Sequence, residues 1–157
     1  GCTKVIAVNR SRPRLEMARE AGADVCICSG EEDAIARVRE ETGGQGADVL
    51  LTACPAPQAQ ADAIQMARNR ARINFFGGLP KTQGIVPIDT NAIHYKELLV
   101  TGSHGCVPRH HQQAVKMIAA GQVDVKKYIS HRYPLAEAPE AFRAAEARDG
   151  KRVVVCP

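Results

Sequence analysis

Short β-rich runs alternate with longer helical patterns along almost the whole chain, and this alternation restricts the fold more than any other feature. The run Lys4–Val8 reads as a strand. Ser11-Arg12-Pro13 then supplies a capping hydroxyl and a first-turn proline, and Leu15, Ala18 and Ala21 follow at helical spacing until Gly22. Asp24–Cys28 reads as a second strand. Glu31, Glu32 and Asp33 bring negative charge to the start of the next helix, where the dipole favours it; Ile35, Val38 and Thr42 line its inner face, and Gly43-Gly44 end it. Asp48–Thr52 is continuously apolar after its first residue, as expected of a strand buried on both faces. Pro55 and Pro57 break it, and a helix from about Gln58 to Asn69 leads to a strand Arg72–Phe76 closed by Gly77-Gly78. Glu97–Thr101, a helix opened by Pro108 and ended by Gly121, a helix opened near Pro139 and holding Phe142 and Ala145, and a strand Val153–Val155 complete the series. Strands alternating with helices require crossover connections, so the expected class is a doubly wound, mostly parallel α/β sheet.

Composition bounds what such a chain does. At 157 residues and 16.9 kDa it is expected to form one domain, with 45% apolar and 24% charged residues. Acidic residues are interleaved with the basic ones, so a net charge of +4 does not form the stripe of a nucleic-acid binder. No run approaches the ~20 apolar residues of a membrane span, and no basic-then-apolar leader opens the chain, so a cytoplasmic setting is expected. The six cysteines show no C-x-x-C spacing and read as small buried hydrophobes in a reduced protein. Cys26 and Cys28, two apart on a strand, face the same side.

Four stretches resemble the zinc-type medium-chain dehydrogenases, in the branch of sorbitol, threonine and related polyol dehydrogenases. They are RLEMAREAGAD (14–24), INFFGGLP (73–80), IHYKELLVTGSHG (93–105) and ISHRYPLAEAPEAF (129–142). The resemblance implies a Rossmann-like coenzyme domain over residues 1–157, with the family's C-terminal tail from about 123. It implies a zinc-dependent alcohol or polyol dehydrogenase that moves a hydride between NAD(P) and a secondary alcohol. Family members open this domain with a strand and a G-x-G-x-x-G turn. No such motif occurs in this sequence, and Gly43-Gly44-Gln45-Gly46 lacks its spacing and follows a helix. The chain therefore reads as an incomplete Rossmann domain that lacks the first strand and helix. The catalytic zinc ligands lie mainly in the family's other half, so this chain is assigned no catalytic residue, no metal ligand and no activity alone.

The resemblance also implies a set of cofactor-binding residues. An acid at the position of Asn9 marks NAD-dependent relatives, where it bonds the adenosine ribose. In this chain a neutral amide stands there, followed by Arg10, Ser11, Arg12 and Arg14. A carboxylate ~4 Å from a 2′-phosphate would cost several kcal/mol at an effective dielectric of about 20, whereas guanidinium groups grip phosphate. NADP is therefore expected over NAD, with Asn9, Arg10, Ser11 and Arg14 at the 2′-phosphate. Thr52 and Ala53, Gly77, Gly78 and Leu79, and Ser103 and His104 lie at strand ends and are assigned to the nicotinamide side. Arg152 is assigned to the pyrophosphate. His104, Cys106, His110 and His111 lack convergent zinc spacing, and His94 and His131 read as scaffold.

In the order 3-2-1-4-5-6 the absent strand is the central one. Its neighbours, 4–9 and 48–52, must close up and pair, or another copy must cover their edges; self-association is the favoured expectation. Two alternatives accompany this reading: a non-catalytic self-associating α/β module, and a fragment of a zinc-free quinone reductase.

Overall fold

Every strand pair among the described residues is parallel, and each consecutive pair is joined through a helix. The computed structural model describes residues 2–147 and 150–157. They form two compact units, Gly1–His104 and Gly105–Pro157. In the first, β1 (Ile6–Asn9) and β2 (Val25–Cys28) form one small sheet, joined by α1 (Arg12–Glu20). After α2 (Ala34–Glu41), a second sheet follows in the order β3 (Ala47–Thr52), β4 (Ala67–Phe75), β5 (Leu99–Gly102). The helix α3 (Pro57–Met66) links β3 to β4, and α4 (Thr90–Tyr95) precedes β5. The second unit holds α5 (Pro108–Ala119), β6 (His131–Pro134), α6 (Ala138–Glu146) and β7 (Val153–Cys156), with β6 paired to β7. No described helix is long and apolar enough to cross a membrane.

The two sheets of the first unit follow the doubly wound order with its central strand left out. β1 pairs with β2 and β3 pairs with β4, but no ladder joins β1 to β3. Closing-up, one of the two expected outcomes, does not occur. Val25 N donates to Val5 O and Ser29 N to Asn9 O, so the two-residue period turns the amides of Ile6 and Val8 to the open edge. On β3, Gly77 N donates to Thr52 O at 2.7 Å, which leaves Val49 and Leu51 as the outward-turned pair.

Side-chain packing holds what the missing ladder does not. Ile27, Ala34, Val38 and Met66 form a buried cluster that receives Ile6 and Val25 from one sheet and Ala47 and Leu50 from the other. A second cluster, Ala63, Ile64, Ala67, Ala71 and Ile73, packs α3 and α4 on the β3–β5 sheet. Ile27, Ile64 and Ile73 are fully buried, each worth roughly 1.5–3 kcal/mol of transfer free energy. The reading of β3 as buried on both faces is corrected. Leu50 packs into both clusters, but Val49 is 62% and Leu51 68% exposed, because no described helix packs on their face.

Several boundaries also move. The third helix stops at Met66 instead of Asn69, and β4 begins at once. Side chains take the carbonyls there: Arg39 Nη2 donates to Gln65 O and Lys96 Nζ to Ala67 O. Asp33, which the sequence offered only as negative charge at the start of α2, is its N-cap, the carboxylate accepting from Ile35 N and Ala36 N. Cys26 and Cys28 do face one side, with Sγ atoms against Leu15 O and Arg10 O. β6 has no counterpart among the strands expected from the sequence, and in α6 it is Ala141 that is buried, while Phe142 is 70% exposed.

Gly46 marks where α3 and β3 meet most tightly. Its φ is +93°, and a Cβ there would lie 2.4 Å from Met66 O. Gly46→Ala should therefore destabilise by roughly 2–5 kcal/mol, combining left-handed backbone cost with overpacking. Gly43, at φ +62° with open space around it, should lose only about 1–2 kcal/mol on the same change. Urea unfolding of the two variants checks this; equal losses would contradict the packing.

Candidate functional site

The loop after β1 is built by its own polar groups. Asn9 Oδ1 accepts from Ser11 N at 3.0 Å, and Asn9 O accepts from Ser29 N at 3.1 Å, so the loop lies against the end of β2. Ser11 occupies the N-cap position of α1 but makes no side-chain cap, which corrects the expected role of its hydroxyl. The reason is local. Pro13, the second helical residue, has no N–H, and Arg14 N, the third, already donates to Ser11 O at 3.1 Å. The hydroxyl is left for other partners.

The three arginines of the loop differ. Arg12 donates through Nε to Glu31 Oε1 at 2.8 Å and through Nη2 to Glu31 Oε2. That two-pronged hydrogen bond, reinforced by charge, holds the Glu31 carboxyl below its ordinary pKa and raises that of the Arg12 guanidinium. Among the described residues, Arg10 and Arg14 have no side-chain hydrogen bond or ion pair, and both are exposed. A helix N-terminus with two unpaired guanidinium groups and an unused hydroxyl is suited to an anion.

A second group of polar atoms gathers at the carboxyl ends of β3, β4 and β5. Thr52 is 7% exposed, and its Oγ1 is buried with no partner in the protein. Gly77 is fixed by packing, since a Cβ there would lie 2.8 Å from Cys54 N. Gly78 has open space beside it, Leu79 is half-buried, and Ala53 is exposed. From β5 the chain continues into Ser103, whose Oγ donates to Asn74 Oδ1 at 3.0 Å, while Asn74 Nδ2 donates to Thr101 Oγ1 at 3.3 Å. His104 is exposed at the end of this unit. Arg152 belongs to the other unit, where its backbone is bonded to Ser130 ahead of β7.

Thr52, Gly77 and Ser103 are thus held on one three-stranded sheet, and Asn9–Arg14 on the two-stranded one. Two contributors were not foreseen. Gln60, 8% exposed on α3, points its amide Nε2 to Gly77 O at 3.5 Å, and Glu31 neutralises Arg12. A polar residue on the same helical face as Ala63 and Ile64 was the available signal for Gln60. Among the described residues there is no group of three or more His, Cys, Asp or Glu side chains that could hold a metal ion. Cys106 Sγ meets His111 Nε2 at 2.9 Å, while the neighbouring His110 Nδ1 turns back to Val107 N.

A family profile described as zinc-binding dehydrogenase matches residues 1–120. The L-threonine 3-dehydrogenase of Bacillus licheniformis is 29% identical over 100% of this chain, which spans 45% of that enzyme. The sorbitol dehydrogenase of Halalkalibacterium halodurans is 26% identical, again over 100% of this chain and 45% of its own length. Among solved structures, a protein of Sinorhizobium meliloti 1021 assigned to the zinc-binding dehydrogenases and bound to NADP superposes with a TM-score of 0.90. It is 26% identical, with 100% of this chain and 46% of that one covered. The chain spans about 45% of the length of the curated relatives it matches.

An orphaned buried hydroxyl costs roughly 1–3 kcal/mol. Thr52→Val, which keeps the shape and removes the hydroxyl, should raise stability by about 1 kcal/mol, read by urea or thermal unfolding. A variant less stable than the parent would show that Oγ1 is satisfied in solution.

Proposed function

Because the chain belongs to the zinc-binding dehydrogenase family, we propose that it binds the adenosine and nicotinamide parts of NADP in a dehydrogenase acting on a secondary alcohol or polyol. The whole enzyme would be a cytoplasmic oxidoreductase. The observation that carries the reading is the pair Arg10 and Arg14, unpaired among the described residues, beside the unused Ser11 hydroxyl at the start of α1. Support also comes from the likeness, over 100% of this chain and 46% of the other, to a protein bound to NADP.

The residues present fit such a cofactor. The side-chain oxygen of Asn9 is occupied by Ser11 N, which leaves its NH2 as a donor, and at this position an amide stands in place of a carboxylate that would repel a 2′-phosphate. Arg10 and Arg14 supply the balancing charge. Thr52 Oγ1 offers a donor or acceptor whose desolvation is already borne by the fold. Gly77 lets β4 approach Cys54 closely, so the ends of β3 and β4 form one continuous wall, and Asn74 fixes Ser103 beside it. A bound nicotinamide supplies the hydride acceptor. The zinc that polarises the alcohol oxygen would be held by residues outside this chain, which alone should bind cofactor without turnover. Arg152 is proposed to reach toward the pyrophosphate, a role for which the family resemblance is the support.

A second reading, a self-associating module, draws on the unpaired edges of β1 and β3 and on exposed Val49 and Leu51. The two readings part on the nucleotide, because the module predicts no saturable response to NADP.

Calorimetric titration with adenosine 2′,5′-bisphosphate and with 5′-AMP tests the cofactor assignment. The chain should bind the bisphosphate more tightly. Asn9→Asp with Arg10→Ala should cut that preference about tenfold or more, corresponding to about 1.4 kcal/mol. Equal affinity of the unaltered chain for both nucleotides would overturn the choice of NADP.

A further inference from the structure

Three arginines stand within five residues of one loop, yet only one is tied down. Arg12 lies between Arg10 and Arg14, and its fork is engaged by both oxygens of Glu31. Glu31 arrives from a loop that is itself firmly built. Glu31 N and Glu32 N both donate to Cys28 O, at 2.9 and 3.1 Å, and Glu32 Oε1 accepts from Cys28 N at 3.1 Å. Ser29 N joins this loop to Asn9 O, and a Cβ on Gly30 would lie 3.8 Å from Arg10 O. The carboxylate is therefore delivered to the same strand end as the three guanidinium groups.

We propose that Glu31 is a specificity-determining residue that holds Arg12 away from the anion-binding loop and so limits the chain's preference for a 2′-phosphorylated nucleotide. The inference rests on the assignment of this loop to the 2′-phosphate, and it concerns a residue outside that assigned set. The physical argument is one of charge and geometry. An unpaired Arg12 would add a third cation and a third forked donor to Arg10 and Arg14. Paired with Glu31, it contributes no net charge, and its donors are directed at the carboxylate. Both partners are exposed, so water and salt screen the pair and it is held only weakly. It acts as a modest brake, of a size a single substitution can release.

The consequence is specific to the 2′-phosphate. Glu31→Gln removes the negative charge, keeps the side-chain volume and frees Arg12. Affinity for adenosine 2′,5′-bisphosphate should rise about tenfold while affinity for 5′-AMP stays within twofold, and the gain should shrink as salt rises. In the variant Arg12→Gln, Glu31 is left without its counter-charge and the bisphosphate should bind more weakly than to the unaltered chain. The double variant Arg12→Gln with Glu31→Gln should return close to the unaltered ratio, because the removed cation and the removed anion cancel.

Calorimetric titration of these four forms with both nucleotides, with thermal melts to establish that each is folded, is the test. A rise in the bisphosphate-to-AMP affinity ratio in Glu31→Gln, abolished in the double variant, supports the proposal. If the unaltered chain separates the two nucleotides but Glu31→Gln does not sharpen the separation, the brake is overturned and the cofactor assignment stands. If neither form separates them, the assignment of the loop falls and the brake falls with it.

Discussion

The buried cluster of Ile27, Ala34, Val38 and Met66 does for the first unit what a hydrogen-bonded ladder does for most sheets. β1 and β3 share no backbone bond, so the two-stranded and three-stranded sheets are joined through α2, α3 and the apolar contacts of Ile6, Val25, Ala47 and Leu50. Burial of this kind is strong in sum but not directional, whereas a ladder fixes register residue by residue. The positions of the two halves of the site follow from it. The Asn9–Arg14 loop rides on one sheet, and Thr52, Gly77 and Ser103 ride on the other. Their spacing is set by side-chain packing, with the Arg39 Nη2–Gln65 O hydrogen bond between α2 and α3 beside it.

The same gap explains the exposure of β3. A strand that is apolar on both faces needs a cover on each, and Leu50 has one while Val49 and Leu51 do not. Proteins commonly guard open edges with charges, bulges or short strands. In this chain β1 has four residues, and β3 carries Asp48 paired with Arg68 and a register shift between Ala47 and Val49. These devices blunt the lower end of β3 and leave Val49–Leu51 open.

Much of this was legible in the sequence, because it rests on local rules. The strands β1 to β3, the negative charge at the start of α2 and the parallel class follow from periodicity, the helix dipole and the need for crossovers. What the sequence did not show depends on contacts between distant residues. The end of α3 is decided by Arg39, Lys96 and the close approach of Gly46, none of them on that helix. Val49 and Leu51 read as buried because hydrophobicity records what a residue prefers and not whether a neighbour is there to cover it. Arg12 resembles Arg10 and Arg14 in sequence and differs only through Glu31, nineteen residues on. Ser11 has the residue type of a cap, but the proton lacking on Pro13 removes one of the donors it would serve.

Amide hydrogen exchange, followed residue by residue across a dilution series, tests most directly whether packing rather than pairing joins the two sheets. Ile73 lies on β4, with strands on both sides, and its amide should be among the slowest. The amides of Ile6, Val8, Val49 and Leu51 should exchange far faster in dilute solution, and slow as concentration rises if copies cover these edges. Protection of all four equal to that of Ile73, and unchanged on dilution, would mean that β1 and β3 are hydrogen-bonded across the gap, and would contradict a junction made by side-chain packing.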